Sequence, residues 1–368
     1  MDTKYFILSP CGTSILTNHV KNNEERQLIF KYTNEKSKDA IPEEDRNRLL
    51  KLIMEVSSII DETDYKDAGK LSAELNGIIK IYDNIIPVNK DDIHFLLCTD
   101  TWLGEEASKL VENWLKKRAI KHMVYIHRHT DLQTKDILAF QMSLSELVKK
   151  LSEELPGYSK SGYKIIFNLT GGFKSVQGFL QSIANFYADE TVYIFETSSE
   201  LLRIPKLPIR MDYETFIEAN INKFRNMAIG LTTSDVAGIP ETLLFTLEGK
   251  TILSPWGEIV WEQSKKTIYR KKLLPSPSQR IKYTDKFIKN VNGLPSDRIE
   301  IINHRIDQLN RYFEGQDYNP KSLDFKELNV KKGDSTHEMD AWSDRDAKRI
   351  FGHFEGDVFI LDSIGPHL

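Results

Sequence analysis

Residues 167–175 are the sequence feature that most constrains the fold of this chain. An apolar run from Tyr163 to Phe167 leads directly into NLTGGFKS at residues 168–175, and a helical pattern begins behind it. Adjacent glycines let a backbone approach a ligand closely, and the free N–H groups of a new helix favour negative charge. With the charge of Lys174 added, this turn is typical of a phosphate or nucleotide site. A tight strand-to-helix connection, with glycines needed only for packing, explains the turn equally well.

Short apolar runs alternate with long amphipathic helical patterns over roughly the first 200 residues. This alternation predicts an α/β fold with a Rossmann-like, mostly parallel sheet, in which ligands bind beyond the carboxyl ends of the strands. Polar turns follow three predicted strands, at residues 9–14, 99–101 and 168–175, and we expect them to meet at one edge. The chain contains neither G-x-G-x-x-G nor a Walker lysine loop, which argues against NAD and ATP.

Length and composition restrict the class of protein. The 368 residues are enough for two or three domains, and the net charge of −4 gives no overall sign of nucleic-acid binding. Cys11 and Cys98 lie in apolar segments, which indicates a reducing compartment without disulfides. No signal peptide and no apolar run of the roughly 20 residues that cross a bilayer is found, so we expect a cytoplasmic protein. No His, Cys and Asp cluster has metal-ligand spacing, so no metal is expected.

Three domains are predicted. Residues 1–208 form the α/β domain, residues 209–275 a small winged-helix-like connector, and residues 280–368 a small α+β domain with a helical hairpin and a β meander. The sequence PSPS at residues 275–278 is typical of a linker. Between residues 203 and 282, 13 Lys and Arg face 8 Asp and Glu, so the connector could contact RNA, although such a run is more often a solvated face.

The first part of the chain, about residues 1–270, resembles the CARF domains of CRISPR-associated effectors. The resemblance rests on SPCGTSILTN at residues 9–18 and NLTGGFK at residues 168–174, and LSPWGE at residues 253–258 resembles the winged-helix connector that often follows such domains. It implies a homodimer that binds a cyclic oligoadenylate across its two-fold axis. A ring of four adenylates is expected, because the related family commonly uses that ring.

The ligand residues follow from this resemblance and from the predicted sheet edge. The resemblance implies Ser9, Cys11, Gly12, Thr13, Ser14, Thr170, Gly171, Gly172 and Lys174. Thr99 is added because its turn is predicted at the same edge.

The last part of the chain, about residues 281–368, resembles RelE-type mRNA interferase toxins. A helical hairpin precedes NPKSL at residues 319–323, KEL at 326–328, HE at 337–338 and DAKRIF at 346–351, and an apolar strand closes the domain. The family cleaves mRNA in the decoding site of the ribosome, with basic side chains and positioning. Fused to a CARF domain, this implies a ribosome-dependent mRNA endonuclease of the type III CRISPR antiviral response, switched on by the messenger.

RNA cleavage of this kind must remove the 2′-hydroxyl proton, neutralise the phosphorane and release the 5′-oxygen. The candidates for charge stabilisation are Lys326, Lys331, Lys332, Arg345 and Arg349. We favour Arg349 for the scissile phosphate, because its planar fork suits phosphate oxygens. His337, His353 and His367 are candidates for proton transfer, although His353, like His304, is more often a structural histidine.

One feature departs from the family. RelE-type toxins are usually strongly basic, whereas residues 281–368 contain 13 Lys and Arg against 16 Asp and Glu. Contacts to ribosomal RNA would then come from the basic connector or from a locally basic site.

Three alternatives remain open at this stage. Arg298 and His304 have the spacing of a HEPN ribonuclease pair, which would cut RNA without ribosomes. The connector could instead serve a ligand-responsive transcription regulator without enzymatic activity. The CARF domain could also degrade its own messenger. For activation, we expect the turn at 168–175, the connector and the linker at 275–278 to move.

Overall fold

The computed structural model describes residues 3–20, 22–133, 135–195, 200–208, 212–231, 235–247, 249–315, 318–344 and 346–366, apart from the side chain of residue 247. The chain divides into two compact units, residues 1–210 and 211–368. The division of the second unit into a connector and a C-terminal domain stays a prediction.

A six-stranded sheet forms the centre of the first unit. Its strands are β1 (Lys4–Cys11), β2 (Ile93–Cys98), β3 (Met123–Arg128), β4 (Tyr163–Asn168), β5 (Glu190–Ile194) and β6 (Leu201–Pro205). They lie in the order β3-β2-β1-β4-β5-β6, and only the pairing of β6 with β5 is antiparallel. Phe6, Ile7 and Leu8 of the central strand are fully buried, as expected for a sheet covered on both faces. The prediction of a mostly parallel α/β sheet is confirmed.

Eight helices of the described residues surround this sheet. They are α1 (Ser14–Thr17), α2 (Asn23–Tyr32), α3 (Glu43–Glu62), α4 (Tyr65–Leu71), α5 (Ala73–Ile81), α6 (Trp102–Arg118), α7 (Ile137–Lys160) and α8 (Lys174–Tyr187), with a 3₁₀ turn at Lys38–Ala40. Several begin at residues that satisfy the free N–H groups of the first turn: Ser72 accepts from Leu75 N at the start of α5, and Thr101 accepts from Gly104 N at the start of α6.

The strand order reverses between β1 and β4. From β1 the chain proceeds outward through β2 and β3, then returns to place β4 and β5 on the other side. The two central strands pair in parallel, with Leu8 opposite Phe167, so their carboxyl ends lie side by side. The turns at residues 9–14 and 168–175 therefore meet at the switch point of the sheet, where ligands bind in folds of this kind.

The second unit begins with a mainly helical segment. Its elements are α9 (Glu214–Ala219), α10 (Ile221–Ala228), a 3₁₀ turn at Glu241–Leu243, β7 (Leu244–Leu247), β8 (Lys250–Leu253) and α11 (Pro255–Lys271). The two strands form an antiparallel hairpin. Ser254 accepts a hydrogen bond from Gly257 N and Pro255 opens the following helix, so the sequence SPWG forms a standard helix start.

A five-stranded sheet and two helices complete the second unit. The elements are β9 (Ile281–Tyr283), α12 (Asp285–Asn292), α13 (Ser296–Phe313), β10 (Lys326–Lys332), β11 (Ser335–Trp342), β12 (Lys348–Glu355) and β13 (Val358–Gly365). The order is β10-β11-β12-β13-β9, with a parallel pair between β13 and β9 and antiparallel pairs elsewhere. Phe287, Ile302 and Ile306 of the helices pack with Met339 and Phe359 of the sheet. The predicted helical hairpin and β meander are both present.

A buried ion pair joins the connector segment to helix α13. Arg225 is fully buried, and its Nε and Nη2 donate to Asp307 Oδ1 at 3.0 and 2.6 Å. The hydroxyl of Tyr269 donates to the other carboxylate oxygen, and Arg225 Nη1 donates to the carbonyl of Pro275. A charge removed from water is stabilised only when such partners are complete, so this network fixes how α10, α11 and α13 pack.

The proline-rich segment at residues 275–278 is held by the same helix. Leu274 N donates to Asn303 Oδ1 at 3.0 Å, while Ser276 and Ser278 donate to Asn310 Oδ1 at 3.2 and 2.6 Å. Asn303 and Asn310 are both fully buried on α13. The structure therefore shows this linker anchored to the C-terminal elements. Local composition predicted a linker but could not show that two distant asparagines hold it.

We expect Arg225→Met to lower the free energy of unfolding of the second unit by about 3–5 kcal/mol, because it leaves Asp307 buried without its charged partner. Arg270→Met is the matched control, since Arg270 pairs with Glu300 at the surface, and we expect a loss of about 0–1 kcal/mol. Urea denaturation followed by circular dichroism measures both. Equal losses in the two variants would contradict a stabilising role for the buried network.

Candidate functional site

The two turns at the switch point touch each other through their glycines. A Cβ on Gly12 would lie 3.4 Å from the Cα of Gly172, and a Cβ on Gly172 would lie 2.9 Å from the carbonyl oxygen of Pro10. Gly172 also has a φ of +98°, which residues with a side chain rarely adopt. Glycine is therefore required here for the close approach of the turns, so the packing interpretation of the Gly-Gly pair holds, and it does not exclude a ligand.

The carboxylate of Glu74 holds the first turn in place. This side chain, at the start of α5, is fully buried. Its Oε1 accepts from Gly12 N at 3.0 Å, and its Oε2 accepts from the hydroxyls of Ser14 and Ser72 at 2.7 and 2.8 Å. The sequence analysis assigned the polar groups of this turn to an anionic ligand, whereas in the structure an internal carboxylate accepts two of them. Any ligand must therefore bind beside Glu74 and not in its place.

Asn168 joins the second turn to the same helix. Its side-chain amide donates to Ser9 Oγ at 3.1 Å and to the carbonyl of Glu74 at 3.0 Å, and it is fully buried. Gly77 of α5 packs directly against it, because a Cβ there would lie 2.0 Å from Asn168 Oδ1 and 2.7 Å from Thr170 Oγ1. Helix α5 thus sets the geometry of both turns. Neither Glu74 nor Gly77 was predicted, since no local pattern marks a helix whose function is to support turns distant in sequence.

Positive potential at the second turn comes from Lys174 and from the end of α8. Lys174 is exposed and is the first residue of this 14-residue helix. The N-cap residue Phe173 supplies no side-chain hydrogen bond to the first turn. Gln177 donates to the carbonyls of Leu169 and Gly171 at 3.1 and 2.7 Å, which fixes the turn in front of the helix. An anion placed here would face a helix N-terminus and a lysine together.

The predicted ligand residues differ in accessibility. Thr13, Ser14, Thr170 and Gly172 are half-buried and Lys174 is exposed. The remaining residues are buried: Ser9, Cys11, Gly12, Thr99 and Gly171.

The buried members of the set have internal partners. The hydroxyls of Thr99 and Thr101 lie 2.9 Å apart, and the thiol of Cys11 lies 3.6 Å from the carbonyl of Ser9. Burial, followed by the charge of Glu74, raises the pKa of the Cys11 thiol well above its ordinary value, and burial raises that of Cys98 to about 11. Both cysteines are therefore neutral thiols. The assignment of the whole set to a ligand stays a prediction.

The small sheet of the second unit carries the predicted catalytic residues on more than one face. Residues directly opposite in an antiparallel ladder point to the same side. Lys326 lies opposite Glu338, Glu338 opposite Phe351, and Asp340 opposite Arg349. We call the side that bears these residues the distal face, because α12 and α13 pack on the other side through Met339, Ile350 and Phe359.

Arg349 is the centre of an ion-pair network on the distal face. Its Nη1 lies 2.8 Å from Asp324 Oδ2 and 2.8 Å from Asp340 Oδ1, and only 11% of its side chain is exposed. The ammonium of Lys326 also lies 2.8 Å from Asp324 Oδ2. The hydrogen bond from Lys326, and then that from Arg349, hold the pKa of Asp324 below its ordinary value. The guanidinium predicted to bind the scissile phosphate is thus already paired with two carboxylates.

Two adjacent lysines end strand β10. The ammonium of Lys332 lies 3.7 Å from the ring centre of Phe351, which is fully buried, and burial lowers the pKa of this lysine. Lys331 is exposed. The remaining predicted cations and bases, Arg345 and His367, lie outside the described residues.

His337 lies on the opposite side of the sheet from Arg349. It pairs with Gly352, and its ring stacks on Phe325 at 5.2 Å within a cluster that includes Phe354 and Phe359. Phe313 of α13 belongs to the same cluster, so this is the helix-covered side. Burial lowers the pKa of His337. The sequence analysis placed His337 with the lysines and arginines, but strand alternation separates them.

The two residues of the alternative HEPN pair have separate partners. Arg298 lies 2.5 Å from Asp344 and 4.8 Å from the ring centre of Trp342. The ring of His304 packs on Tyr269 at 4.9 Å, and burial lowers its pKa to about 3. Strands follow this helix, where a HEPN fold should continue with helices.

Two further observations concern the described residues only. No group of three His, Cys, Asp or Glu among them is placed to hold a metal ion. None of the described helices combines the length and the apolar character needed to cross a membrane.

We expect Gly77→Ala to destabilise the protein, although glycine-to-alanine changes inside helices normally stabilise by about 0.5–1 kcal/mol. The new Cβ would clash with the buried amide of Asn168 and the hydroxyl of Thr170. Gly178→Ala in α8 is the matched control, because a Cβ there meets nothing within 4 Å and should raise stability. Thermal unfolding of the two variants tests the prediction. A stabilised Gly77→Ala protein would show that α5 does not hold the second turn.

Residues 69–207 match the family described as CRISPR-associated protein (Cas_APE2256), which is less than half of the chain. No curated protein sequence matches. Among solved structures, the chain is similar to Enterococcus italicus Csm6 bound to cyclic hexa-2′-fluoro-hexa-dAMP, with 13% identity and a TM-score of 0.30. The match covers 85% of this chain and 64% of the Csm6 chain. The similarity of residues 69–207 agrees with the CRISPR-associated resemblance of the first unit.

Proposed function

We propose that the protein is a cyclic-oligoadenylate-activated, ribosome-dependent mRNA endonuclease of a type III CRISPR antiviral response. The observation that carries the proposal is the meeting of the two turns at the switch point, beside the exposed Lys174. The second of these turns lies within residues 69–207, which are similar to a CRISPR-associated family. The RelE-type resemblance of residues 281–368 supports the nuclease part of the proposal, together with the basic side chains on the distal face.

The sensor site would take a cyclic oligoadenylate at the switch point, and we favour a ring of four. Lys174 and the first turn of α8 would contact phosphates, while the half-buried Thr13 offers a hydroxyl. A symmetric ring fits a homodimer, in which a second copy supplies the same groups. Glu74 would position the first turn without contacting phosphate, because like charges repel.

The nuclease site would lie on the distal face of the small sheet. Lys326 and Lys332 would stabilise the charge that develops on the phosphorane, which is the largest contribution in sites of this type. Arg349 would reach the scissile phosphate by exchanging Asp324, whose side chain is 39% exposed, for a phosphate oxygen. In the free protein the guanidinium of Arg349 is paired with two carboxylates. The site would therefore bind RNA productively only when the ribosome positions the mRNA against it.

The alternative functions have less support. Arg298 is paired with Asp344, and the ring of His304 packs on Tyr269, so the two residues of the HEPN pair have separate partners. A transcription regulator remains the second candidate, since 13 basic residues against 8 acidic ones in residues 203–282 favour nucleic-acid contact. Messenger cleavage by the first unit would be an additional activity and does not conflict with the proposal.

We expect mRNA cleavage in an in-vitro translation system only when ribosomes and a cyclic oligoadenylate are both present, and most strongly with the tetra-adenylate. Lys174→Ala should lower the response to the messenger by about 10- to 100-fold, because a charge-assisted contact is lost. Lys160→Ala, which removes another exposed lysine at the end of α7, should leave the response unchanged. Primer extension on the mRNA measures the cleavage.

Other outcomes would point to the alternatives. Rapid cleavage of naked RNA would reject ribosome dependence and favour a HEPN-type nuclease. Binding of duplex DNA at low salt, where charge attraction is least screened, without any RNA cleavage would favour the regulator. An unchanged response of Lys174→Ala would reject the proposed sensor site.

A further inference from the structure

Among the described residues, His353 is the histidine that shares the distal face with Arg349. The two residues are separated by four positions on β12, so alternation places both on the same side, with Phe351 between them. The extra residue at this point of the ladder lies in β13, since Phe351 pairs with Ser363 and Gly352 with Leu361. Strand β12 itself therefore keeps its alternation, and the irregular residue is Asp362.

Asp362 holds the imidazole of His353 in one orientation. Nδ1 of His353 donates to Asp362 Oδ2 at 2.9 Å, and the hydroxyl of Ser335 donates to the same oxygen at 2.7 Å. The hydrogen bond to Nδ1 leaves Nε2 as the second proton-carrying atom. Glu355 is the other charged group that faces the ring, at 3.5 Å from Nε2, and its side chain is 71% exposed and so can move away.

We propose that His353, oriented by Asp362, is the general acid of the RNA cleavage on the distal face; this rests on the proposed nuclease function. The sequence analysis named His353 as one of three histidine candidates, and the structure adds the carboxylate of Asp362 and the hydroxyl of Ser335 that accompany it. His337 cannot take this role from the helix-covered side, where it is stacked among phenylalanines.

The step balances as a transesterification. The 2′-oxygen forms a bond to phosphorus and its proton passes to water, while the bond between phosphorus and the 5′-oxygen breaks. The 5′-oxygen takes its electron pair and accepts the proton from Nε2 of His353, so the products are a 2′,3′-cyclic phosphate and a 5′-hydroxyl. Lys326 and Lys332 neutralise the charge on the phosphorane, and the imidazole is then reprotonated from solvent.

The surroundings of His353 suit a proton donor near neutral pH. The hydrogen bond to Asp362, and to a smaller extent the charge of Glu355, raise the pKa of His353 above its ordinary value. The imidazolium therefore persists to higher pH than for a free histidine, and the cleavage rate should fall as the pH rises through this pKa. In Asp362→Asn the pKa falls, so the same loss of rate should begin at lower pH.

The test uses ribosome-bound short mRNAs with the messenger present. One mRNA carries the normal 5′-oxygen at the cleavage site, and the other carries a 5′-bridging sulfur, which leaves without protonation. We expect His353→Gln to lower cleavage of the oxygen substrate by about 10²- to 10⁴-fold and to cleave the sulfur substrate nearly as fast as the wild type. Asp357→Asn, at the exposed turn between β12 and β13, is the matched control for Asp362→Asn and should keep the wild-type pH profile.

The outcomes separate this proposal from the one on which it rests. An equal loss of cleavage rate on both substrates in His353→Gln would show a structural role for His353 and overturn the proposal. An unchanged cleavage rate on the oxygen substrate would also overturn it. If the wild-type protein cleaves neither mRNA, the proposed nuclease function fails and the general-acid role fails with it. NMR titration of the histidines in the full chain still reports the pairing in that case, because Asp362→Asn should lower the pKa of His353 and Asp357→Asn should not.

Discussion

The buried carboxylate of Glu74 is the interaction on which the arrangement of the first unit depends. A charged group without exposure is stable only with donors around it, and here the donors are a backbone N–H and two hydroxyls. Those donors belong to the turn after β1 and to the cap of α5. The carbonyl of the same residue accepts from Asn168, so one residue connects both turns of the switch point. A ligand bound there would meet a preformed surface.

In the second unit the buried charged group is a cation, and it too is stabilised by hydrogen-bond partners around it. Arg225 is buried against Asp307 and Tyr269, and the segment that joins the connector to the C-terminal elements is held by Asn303 and Asn310. Helix α13 therefore carries polar contacts on one side and the core of the small sheet on the other. These contacts anchor residues 274–278 to α13 in this structure, and the movement of the linker on activation stays a prediction. If activation moves the C-terminal elements, the connector is expected to move with them.

Much of the fold follows from local pattern. The alternation of apolar runs and helices predicted the parallel sheet, and the strand at Tyr163–Asn168 with its Gly-Gly turn lies where expected. The meander was also predicted, since period-two alternation is strong there. The candidate sites were less predictable. Asp324 and Asp340, which neutralise Arg349, look like ordinary surface acids in the sequence. The HEPN spacing of Arg298 and His304 likewise said nothing about their separate partners.

The sequence by itself determined the order of the elements, the polar turns at strand ends and the presence of a Gly-Gly turn before a helix. These depend on residues close in the chain, so propensity and spacing report them. Only the tertiary structure decided that Glu74, 62 residues from Gly12, would occupy part of the first turn. It also decided that His353 and not His337 would share a face with Arg349, because strand register sets which side chains meet. The bulged residue, Asp362, is the one that contacts this histidine.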